Sequence, residues 1–169
     1  MKRVIAVSDS HGMTFRLRQV LCHAFSRGTV DAIAFLGDGL EDFEKVGREF
    51  TVDHPGLRLY AVRGNNDWSA SAPLVDTFTL DGVKFFLCHG HQYRVKYGLE
   101  RLQMEAVAQE AQVALFGHTH LGYLAPEYGC LFVNPGAVCS YGSDAPLYAQ
   151  LLLPGDGQVK ADLFTAAVL

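Results

Sequence analysis

Apolar runs alternate with helical patterns along the first 65 residues. The runs at 3–9, 31–38 and 57–65 predict buried strands, because each is short and is followed by a polar, glycine-containing turn. Between them, apolar side chains recur every three or four residues from Thr14 to Arg27 and again at 40–50, which predicts two amphipathic helices. The resulting order, β-α-β-α-β, is typical of a parallel sheet.

The second half of the chain is richer in strands. A hairpin is predicted to turn at Asp81-Gly82, and a helix is predicted near Leu99 to Gln109, before another buried strand at 111–118. Further strands follow, with turns at Tyr128-Gly129 and Pro154–Gly157. We therefore expect one α/β domain over residues 1–169, built either from two packed sheets flanked by helices or from one mixed sheet.

Composition and charge narrow the functional classes. The chain of 169 residues is 49% hydrophobic, which suits a globular domain with a substantial core. Its net charge of −4 predicts neither general nucleic-acid binding nor attraction to an anionic membrane. The N-terminal apolar run is too short for a signal segment or a membrane span, so a cytoplasmic protein is expected. The sequence leaves the oligomeric state open, and a homo-oligomer is compatible with it.

The cysteines show no paired or metal-binding spacing. In a cytoplasmic chain they are expected to be buried small apolar residues rather than disulfides or zinc ligands, and they are Cys22, Cys88, Cys130 and Cys139. Cys88 precedes His89 on a predicted strand, so its side chain is expected to face the opposite side of the sheet.

Five of the predicted strands are followed by the same kinds of residue. These are Asp, Asn and His side chains, namely Asp9 and His11, Asp38, Asn65 to Asp67, His89 and His91, and His118 and His120. Open α/β sheets place ligand sites at the C-terminal ends of their strands, and sequential strands are usually neighbours. We therefore expect these side chains to converge.

Such a convergent group contains carboxylate, amide and imidazole ligands and no thiolate. It is large enough for two ions, and its imidazoles favour manganese, iron, cobalt, nickel or zinc over magnesium or calcium alone. Five coincidentally polar strand ends are the alternative, but a cluster of uncompensated carboxylates and imidazoles would cost stability. Metal binding is therefore the better interpretation.

The ordered motifs resemble those of the calcineurin-like metallophosphoesterases, and within them the small YfcE-like phosphodiesterases. The family pattern D-x-H, G-D, G-N-x-D/E, H and G-H-x-H is matched in order by residues 9–11, 37–38, 64–67, 89 and 117–120. The resemblance covers most of the chain and extends to Asn134-Pro135-Gly136. It implies a four-layer α-β-β-α sandwich of two mixed sheets flanked by helices.

The resemblance also implies a role for each motif residue. The implied ligands are Asp9, His11 and His120 for one divalent ion, Asn65, His89 and His118 for the second, and Asp38 as the bridge between them. Manganese is the first expectation for both ions, with nickel, cobalt, iron or zinc as alternatives. A hydroxide between the two ions would attack a small phosphate ester in line, with diesters as the first expectation.

One position departs from the family pattern. Larger relatives carry His after the Gly-Asn pair, as proton donor to the leaving group, and small relatives often carry Cys, whereas this chain has Asn66. His91 or a water molecule on the metal could supply the proton. His91 could equally orient a metal ligand without contacting the metal itself. Asp67 completes the catalytic candidates and is expected to orient the site. Without a strong acid, substrates with good leaving groups should be favoured.

Two other functional classes stay open. The retromer subunit with this fold resembles the same family and serves mainly as an interaction scaffold, so ligand residues can persist without catalysis. A structural metal site is a third alternative, but such sites are usually closed and often thiolate-based. The complete set of seven ligand positions favours an enzyme, namely a metal-dependent phosphodiesterase.

Overall fold

The computed structural model describes residues 1–68, 71–140 and 147–166. The strands in these ranges are β1 (Lys2–Val7), β2 (Ala32–Phe35), β3 (Arg58–Ala61), β4 (Val75–Leu80), β5 (Val83–Cys88), β6 (Val113–Leu115), β7 (Gly122–Glu127), β8 (Cys130–Pro135), β9 (Leu147–Leu153) and β10 (Lys160–Thr165). The helices are α1 (Thr14–Ser26), α2 (Leu40–Asp53) and α3 (Glu100–Ala108), and His91–Tyr93 forms one 3₁₀ turn. No helix within the described ranges has the length and apolar character needed to cross a membrane.

The strands form two mixed sheets of five strands each. In the first sheet, with the order β10-β9-β1-β2-β3, the strands β1, β2 and β3 are parallel, and β9 and β10 complete the sheet in antiparallel pairs. In the second sheet, with the order β4-β5-β6-β8-β7, the strands β5, β6 and β8 are parallel and the two edge strands are antiparallel to their neighbours. Each sheet therefore has a parallel centre.

The two sheets lie between layers of helix. On β1, Ile5 and Val7 face α1 and α2, whereas Val4 and Ala6 face the second sheet, so both faces of this strand are buried. On the far side of the second sheet, Leu102 of α3 packs over β5 and β6. The resulting α-β-β-α sandwich confirms the expected fold and excludes the alternative of one mixed sheet.

The central strands are shorter than the apolar runs predicted. β1 ends at Val7 and β2 at Phe35, although the predicted runs continued to Asp9 and Asp38. The backbone of Asp9 has a φ of 57° and that of Asp38 a φ of 59°, and this left-handed conformation cannot continue a strand. The polar residues at the strand ends therefore belong to turns rather than to the sheet.

Both predicted hairpin turns are present. Asp81 and Gly82 have φ values of 52° and 79°, and Tyr128 and Gly129 have φ values of 52° and 77°. Positive φ at both central residues is the geometry that matches the twist of a two-residue hairpin. The predicted helix near Leu99 to Gln109 is also confirmed, as α3.

The cysteine expectation is confirmed for three positions and wrong for one. Cys88, Cys130 and Cys139 are buried, whereas Cys22 is exposed on α1. Helix α1 buries Leu17, Val20, Leu21 and Ala24, and position 22 lies outside that face. Cys88 packs in the core under α3, on the face away from the strand-end residues, as the strand alternation predicted.

Phe85 provides a test of the interface between the sheets. Its ring is fully buried there and stacks on Phe78 of the paired strand, with 4.5 Å between ring centroids. We expect Phe85→Ala to lower the free energy of unfolding by about 3–5 kcal/mol, because it removes buried apolar surface and leaves a cavity. Urea denaturation would measure this, with Phe15→Ala, at a 63% exposed position, as the control that should change little.

Candidate metal centre

The loops that follow the parallel strands of both sheets meet at one edge of the sandwich. The backbone N–H of Asp9 donates to the carbonyl of Gly37 over 2.9 Å, which joins the ends of β1 and β2. The N–H of Gly117 donates to the carbonyl of His89 over 3.0 Å, which joins the ends of β5 and β6. The N–H of Cys139 donates to the carbonyl of Asp9 over 2.9 Å, and so ties the loop after β8 to β1.

One half of the site is built by Asp9, His11 and His120. Oδ1 of Asp9 lies 3.1 Å from Nε2 of His120 and 3.6 Å from Nε2 of His11. The two Nε2 atoms are 3.4 Å apart, and Oδ2 of Asp38 lies 3.6 Å from Nε2 of His11. Four potential ligand atoms therefore surround one space, which is open to solvent beside the partly exposed His11 and His120 rings.

The other half is built by Asp38, His89 and His118. Oδ2 of Asp38 lies 3.4 Å from Nε2 of His89, which is 3.2 Å from Nδ1 of His118. Nδ1 of His89 is 2.6 Å from the carbonyl of Leu36 and must donate to it, because a carbonyl only accepts. When His89 is neutral, its proton is on Nδ1, and the lone pair of Nε2 then faces Asp38 and His118.

The donor set fits divalent transition-metal ions. Oδ2 of Asp9 is held by the Ser8 hydroxyl and by the N–H of His118, whereas Oδ1 is buried and receives no hydrogen bond of good geometry from the residues that the structure describes. An unsatisfied carboxylate oxygen facing imidazole nitrogens is unfavourable without a cation. Two groups, Asp9-His11-Asp38 and Asp38-His89-His118, each have ligand atoms within 4.8 Å of one another, and they share Asp38.

The remaining predicted residues lie around this cluster. The side chain of Asn65 is exposed in the turn after β3 and forms no hydrogen bond with the described residues. Asn66 donates its backbone N–H and its side-chain Nδ2 to the two oxygens of Asp38, over 2.8 and 2.7 Å. The His91 ring lies 5.4 Å from the His89 ring and 6.1 Å from the His118 ring, between centroids. Asn66 therefore binds the shared carboxylate of the cluster, whereas no side-chain contact among the described residues joins Asn65 to it.

A family model described as the calcineurin-like phosphoesterase superfamily domain matches residues 1–153. The chain belongs to the calcineurin-like phosphoesterase superfamily. It is 29% identical over 136 residues to the probable metallophosphoesterase YsnB of Bacillus subtilis, covering 80% of this chain and 74% of that protein. It is 27% identical over 154 residues to the phosphodiesterase MJ0936 of Methanocaldococcus jannaschii, covering 83% and 86% of the two chains.

Solved structures share the fold of this phosphoesterase domain. A predicted phosphoesterase from Streptococcus pneumoniae superposes with a TM-score of 0.76 at 28% identity, covering 98% of this chain and 90% of that one. Vps29 from Entamoeba histolytica, crystallised in complex with Zn²⁺, superposes with a TM-score of 0.72 at 19% identity, covering 98% and 99%. The second likeness shows the fold alone.

Both central carboxylates of the candidate metal centre stay ionised despite burial. Burial acts to raise the pKa of Asp38, but hydrogen bonds from His89 and Asn66 and the charge of His89 outweigh it and lower the pKa to about 2. Burial likewise opposes ionisation of Asp9, yet the imidazoles of His11 and His120 hold its pKa well below the usual range. Two anionic ligands are thus present at neutral pH.

The histidines of the site differ in the direction of their pKa shifts. Burial and the charge of His89 lower the pKa of His118 to about 4, so its imidazole is neutral and able to bind a metal. Interaction with Asp9 raises the pKa of His11, and Asp38 raises the pKa of His89 against the effect of burial. Burial and the charge of His89 lower the pKa of His91, so less of its imidazole carries a proton than in a free histidine.

The backbone at the site is strained. Five of the ligand candidates have positive φ, with values of 45° to 68°, and they are Asp9, His11, Asp38, His118 and His120. Each such residue costs about 1–3 kcal/mol and persists only where the surrounding structure enforces it. Concentration of this strain at the strand ends is typical of a functional site.

Two glycines let the ligand loops approach closely. A Cβ at Gly64 would lie 2.1 Å from Oδ1 of Asp38, and a Cβ at Gly117 would lie 2.1 Å from Oγ of Ser8. Any side chain at either position would displace Asp38 or the Ser8 hydroxyl that supports Asp9. The glycines of the family motifs are therefore required for space at these two positions.

Asp67 organises the turns that carry Asp38. Its carboxylate accepts the N–H groups of Asp38, Gly39, Leu40 and Gly64, over 2.7 to 2.9 Å. These four bonds join the start of α2 to the turn after β3. Asp67 thus positions Asp38, in agreement with the orienting role expected from its place in the motif.

The sequence did not single out two further residues that shape the site. The buried carboxylate of Asp42 accepts from the Ser10 hydroxyl, the Gly12 N–H and the Thr14 hydroxyl, over 2.6 to 2.8 Å, and so fixes the loop that carries His11. Cys139 was expected not to bind metal, but its Sγ lies within 4.8 Å of ligand atoms of His11 and His120. Burial raises the pKa of this thiol to about 11.

Asp67→Asn tests the positioning network. An amide would present hydrogens to backbone N–H groups that now donate to a carboxylate, so the Asp38 turn should loosen. We expect metal affinity to fall by about 10- to 100-fold, the loss typical of removing a hydrogen-bond partner of a ligand. Titration calorimetry with Mn²⁺ and Zn²⁺ would measure it. Asp76→Asn is the matched control, since among the described residues the Asp76 carboxylate accepts a hydrogen bond from the N–H of Thr77 alone, and this substitution should leave metal affinity unchanged.

Proposed function

We propose that this chain is a metal-dependent phosphodiesterase that uses two divalent transition-metal ions. The main evidence is that Asp38 belongs to both groups of possible metal ligands, one with Asp9 and His11 and the other with His89 and His118. One carboxylate between two sets of imidazoles suits a pair of cations, because it offsets their mutual repulsion. The phosphodiesterase named among the relatives supports the same reaction class.

The proposed ligands follow the two halves of the site. Asp9, His11 and His120 hold one ion, and Asn65, His89 and His118 hold the other. Bound there, divalent ions supply water that ionises near neutral pH and positive charge for the phosphoryl oxygens. Manganese is the proposed native metal, with nickel, cobalt, iron or zinc as alternatives. The substrate is a small phosphate ester in the cytoplasm.

The substrate reaches the site from the solvent-exposed side of His11 and His120. The side chains of these two residues are 27% and 43% exposed, whereas those of Asp9 and His89 are fully buried. The buried ligands keep a fixed geometry, and the exposed pair leaves room for a phosphoryl group.

Leaving-group protonation is the weak step of the proposed reaction. The amide of Asn66 has no titratable proton, and it is engaged with Asp38. The lowered pKa of His91 leaves less of its imidazole protonated than in a free histidine, which makes it a poor source of a proton. We propose that the chain hydrolyses esters with stable leaving groups and acts slowly on simple alkyl esters.

Metal dependence and Asp38 test the proposal together. Chelator-treated protein should lose hydrolysis of bis(p-nitrophenyl) phosphate and regain it with Mn²⁺, Ni²⁺, Co²⁺ or Zn²⁺. We expect Asp38→Asn to lower metal-supported turnover by more than about 100-fold. Replacing a carboxylate that both ions share should cost more than removing a hydrogen-bond partner of a ligand. Asp162→Asn, on exposed β10, is the control for charge removal. Full activity after chelation would overturn the proposal.

Asn66→His tests the missing acid. A titratable imidazole at this position should raise turnover of esters with poor leaving groups by up to about 100-fold, because general-acid catalysis contributes most where the leaving oxygen is basic. Hydrolysis of p-nitrophenyl esters should change much less. The comparison of methyl and p-nitrophenyl diesters in Asn66→His and Asn66→Gln would measure this. An equal change for both esters in both variants would contradict the assignment.

A second candidate function is an interaction scaffold. The observation that favours it is the likeness to Vps29, which extends over nearly the whole chain although it shows the fold alone. A scaffold predicts stoichiometric metal binding without turnover of any phosphate ester. The activity assay on the metal-loaded chain therefore separates the two candidates.

A further inference from the structure

The chain's one tryptophan is exposed at the mouth of the candidate site. Trp68 follows the Asn65-Asn66-Asp67 segment directly, and its side chain is 88% exposed. An indole of this size normally contributes to a core or an interface, because burying it stabilises the protein by several times the gain from a small side chain. The described residues therefore leave a large aromatic surface unused beside the ligands.

The position of Trp68 is fixed on one side. The preceding residue, Asp67, is anchored by four backbone hydrogen bonds, including those to Asp38 and Gly39. The backbone that enters Trp68 is thus held relative to the shared carboxylate of the metal cluster. An aromatic group that follows a rigid anchor loses little conformational freedom when a ligand binds it.

Two hollows that share lining residues form a groove between Trp68 and the metal cluster. A hollow of about 330 Å³ is bordered by His11, Asp38 and Asp67, among others. A second hollow of about 400 Å³ is bordered by Leu40, Glu44 and Trp68. The two share Glu41, Asn66 and Asp67 as lining residues. Together they have the size of a site for a ligand larger than a phosphate group.

The charge of the distal hollow restricts what it can hold. Glu41 and Glu44 lie one turn apart on α2 and line this hollow together with Trp68, and its described lining contains no lysine or arginine. A second phosphate group would be repelled there. An uncharged aromatic ring is accepted, and amino groups on its edge can donate to the carboxylates.

We propose that this groove binds the base of a nucleoside phosphate ester, with the base stacked on Trp68 and its phosphate at the metal cluster. The proposal rests on the phosphodiesterase function proposed above and names its substrate class. Trp68 acts as a specificity residue and takes no part in the chemical step. A polyanionic nucleic acid is disfavoured by the same acidic wall.

The single tryptophan makes the test direct. All tryptophan fluorescence of the Zn²⁺-loaded chain comes from Trp68. Adenosine 5′-monophosphate should quench it saturably, with excitation at the red edge where adenine does not absorb. Ribose 5-phosphate, which lacks the base, should not. We expect the nucleotide to bind at least about tenfold more tightly than the sugar phosphate, as base stacking on an aromatic side chain provides.

Variants identify the residue responsible. Calorimetry would measure the affinity ratio of adenosine 5′-monophosphate to ribose 5-phosphate. Trp68→Ala should reduce this ratio to less than about twofold, and Trp68→Phe should retain part of it. Tyr128→Ala is the matched control, since Tyr128 is 76% exposed in the β7–β8 turn at the far end of the sheet, and it should behave as the unmodified chain. The proposal would be overturned if Trp68→Ala still bound the nucleotide more tightly than the sugar phosphate, or if the unmodified chain bound the two equally.

Failure of the two proposals can be told apart. Turnover of bis(p-nitrophenyl) phosphate without any preference for the nucleotide would overturn the base site alone. Saturable quenching by the nucleotide without turnover of any ester would overturn the hydrolase and retain the base site.

Discussion

The apolar interface between the two sheets sets the separation of the candidate metal ligands that come from different sheets. On the first sheet this interface is lined by small side chains such as Ala6 and Ala34, and on the second by large ones such as Phe85 and Leu87. Small residues facing large ones let the sheets approach closely without voids. Asp9 and Asp38 follow strands of one sheet and His89 and His118 follow strands of the other, so a change in sheet separation would move these carboxylates away from these imidazoles.

That interface also supports an arrangement that is locally unfavourable. Two buried carboxylates, four imidazoles and five left-handed backbone positions lie within one edge of the sandwich. The strained backbone positions alone cost several kcal/mol. The core and the hydrogen bonds of Asp42 and Asp67 hold the site in place, which makes it preorganised for ligands.

The sequence predicted the site residues that directly follow apolar strands. It could not predict the site residues whose position depends on the paths of loops. Asp9, Asp38 and His118 were identified because each follows a buried strand. Asp42 was not, because an acid in the first turn of a helix is already explained by the helix dipole. The exposure of Trp68 and the approach of Cys139 to His11 depend on the paths of loops, which periodicity does not encode.

The strand order has a consequence for synthesis of the protein. β1 pairs on one side with β2 and on the other with β9, whose residues 147–153 are made well over a hundred residues after β1. Until those residues leave the ribosome, β1 is an unpaired sheet edge of the kind that promotes association of nascent chains. His118 and His120 are also made more than a hundred residues after Asp9. The candidate metal centre therefore cannot form until the strands of both sheets have been made.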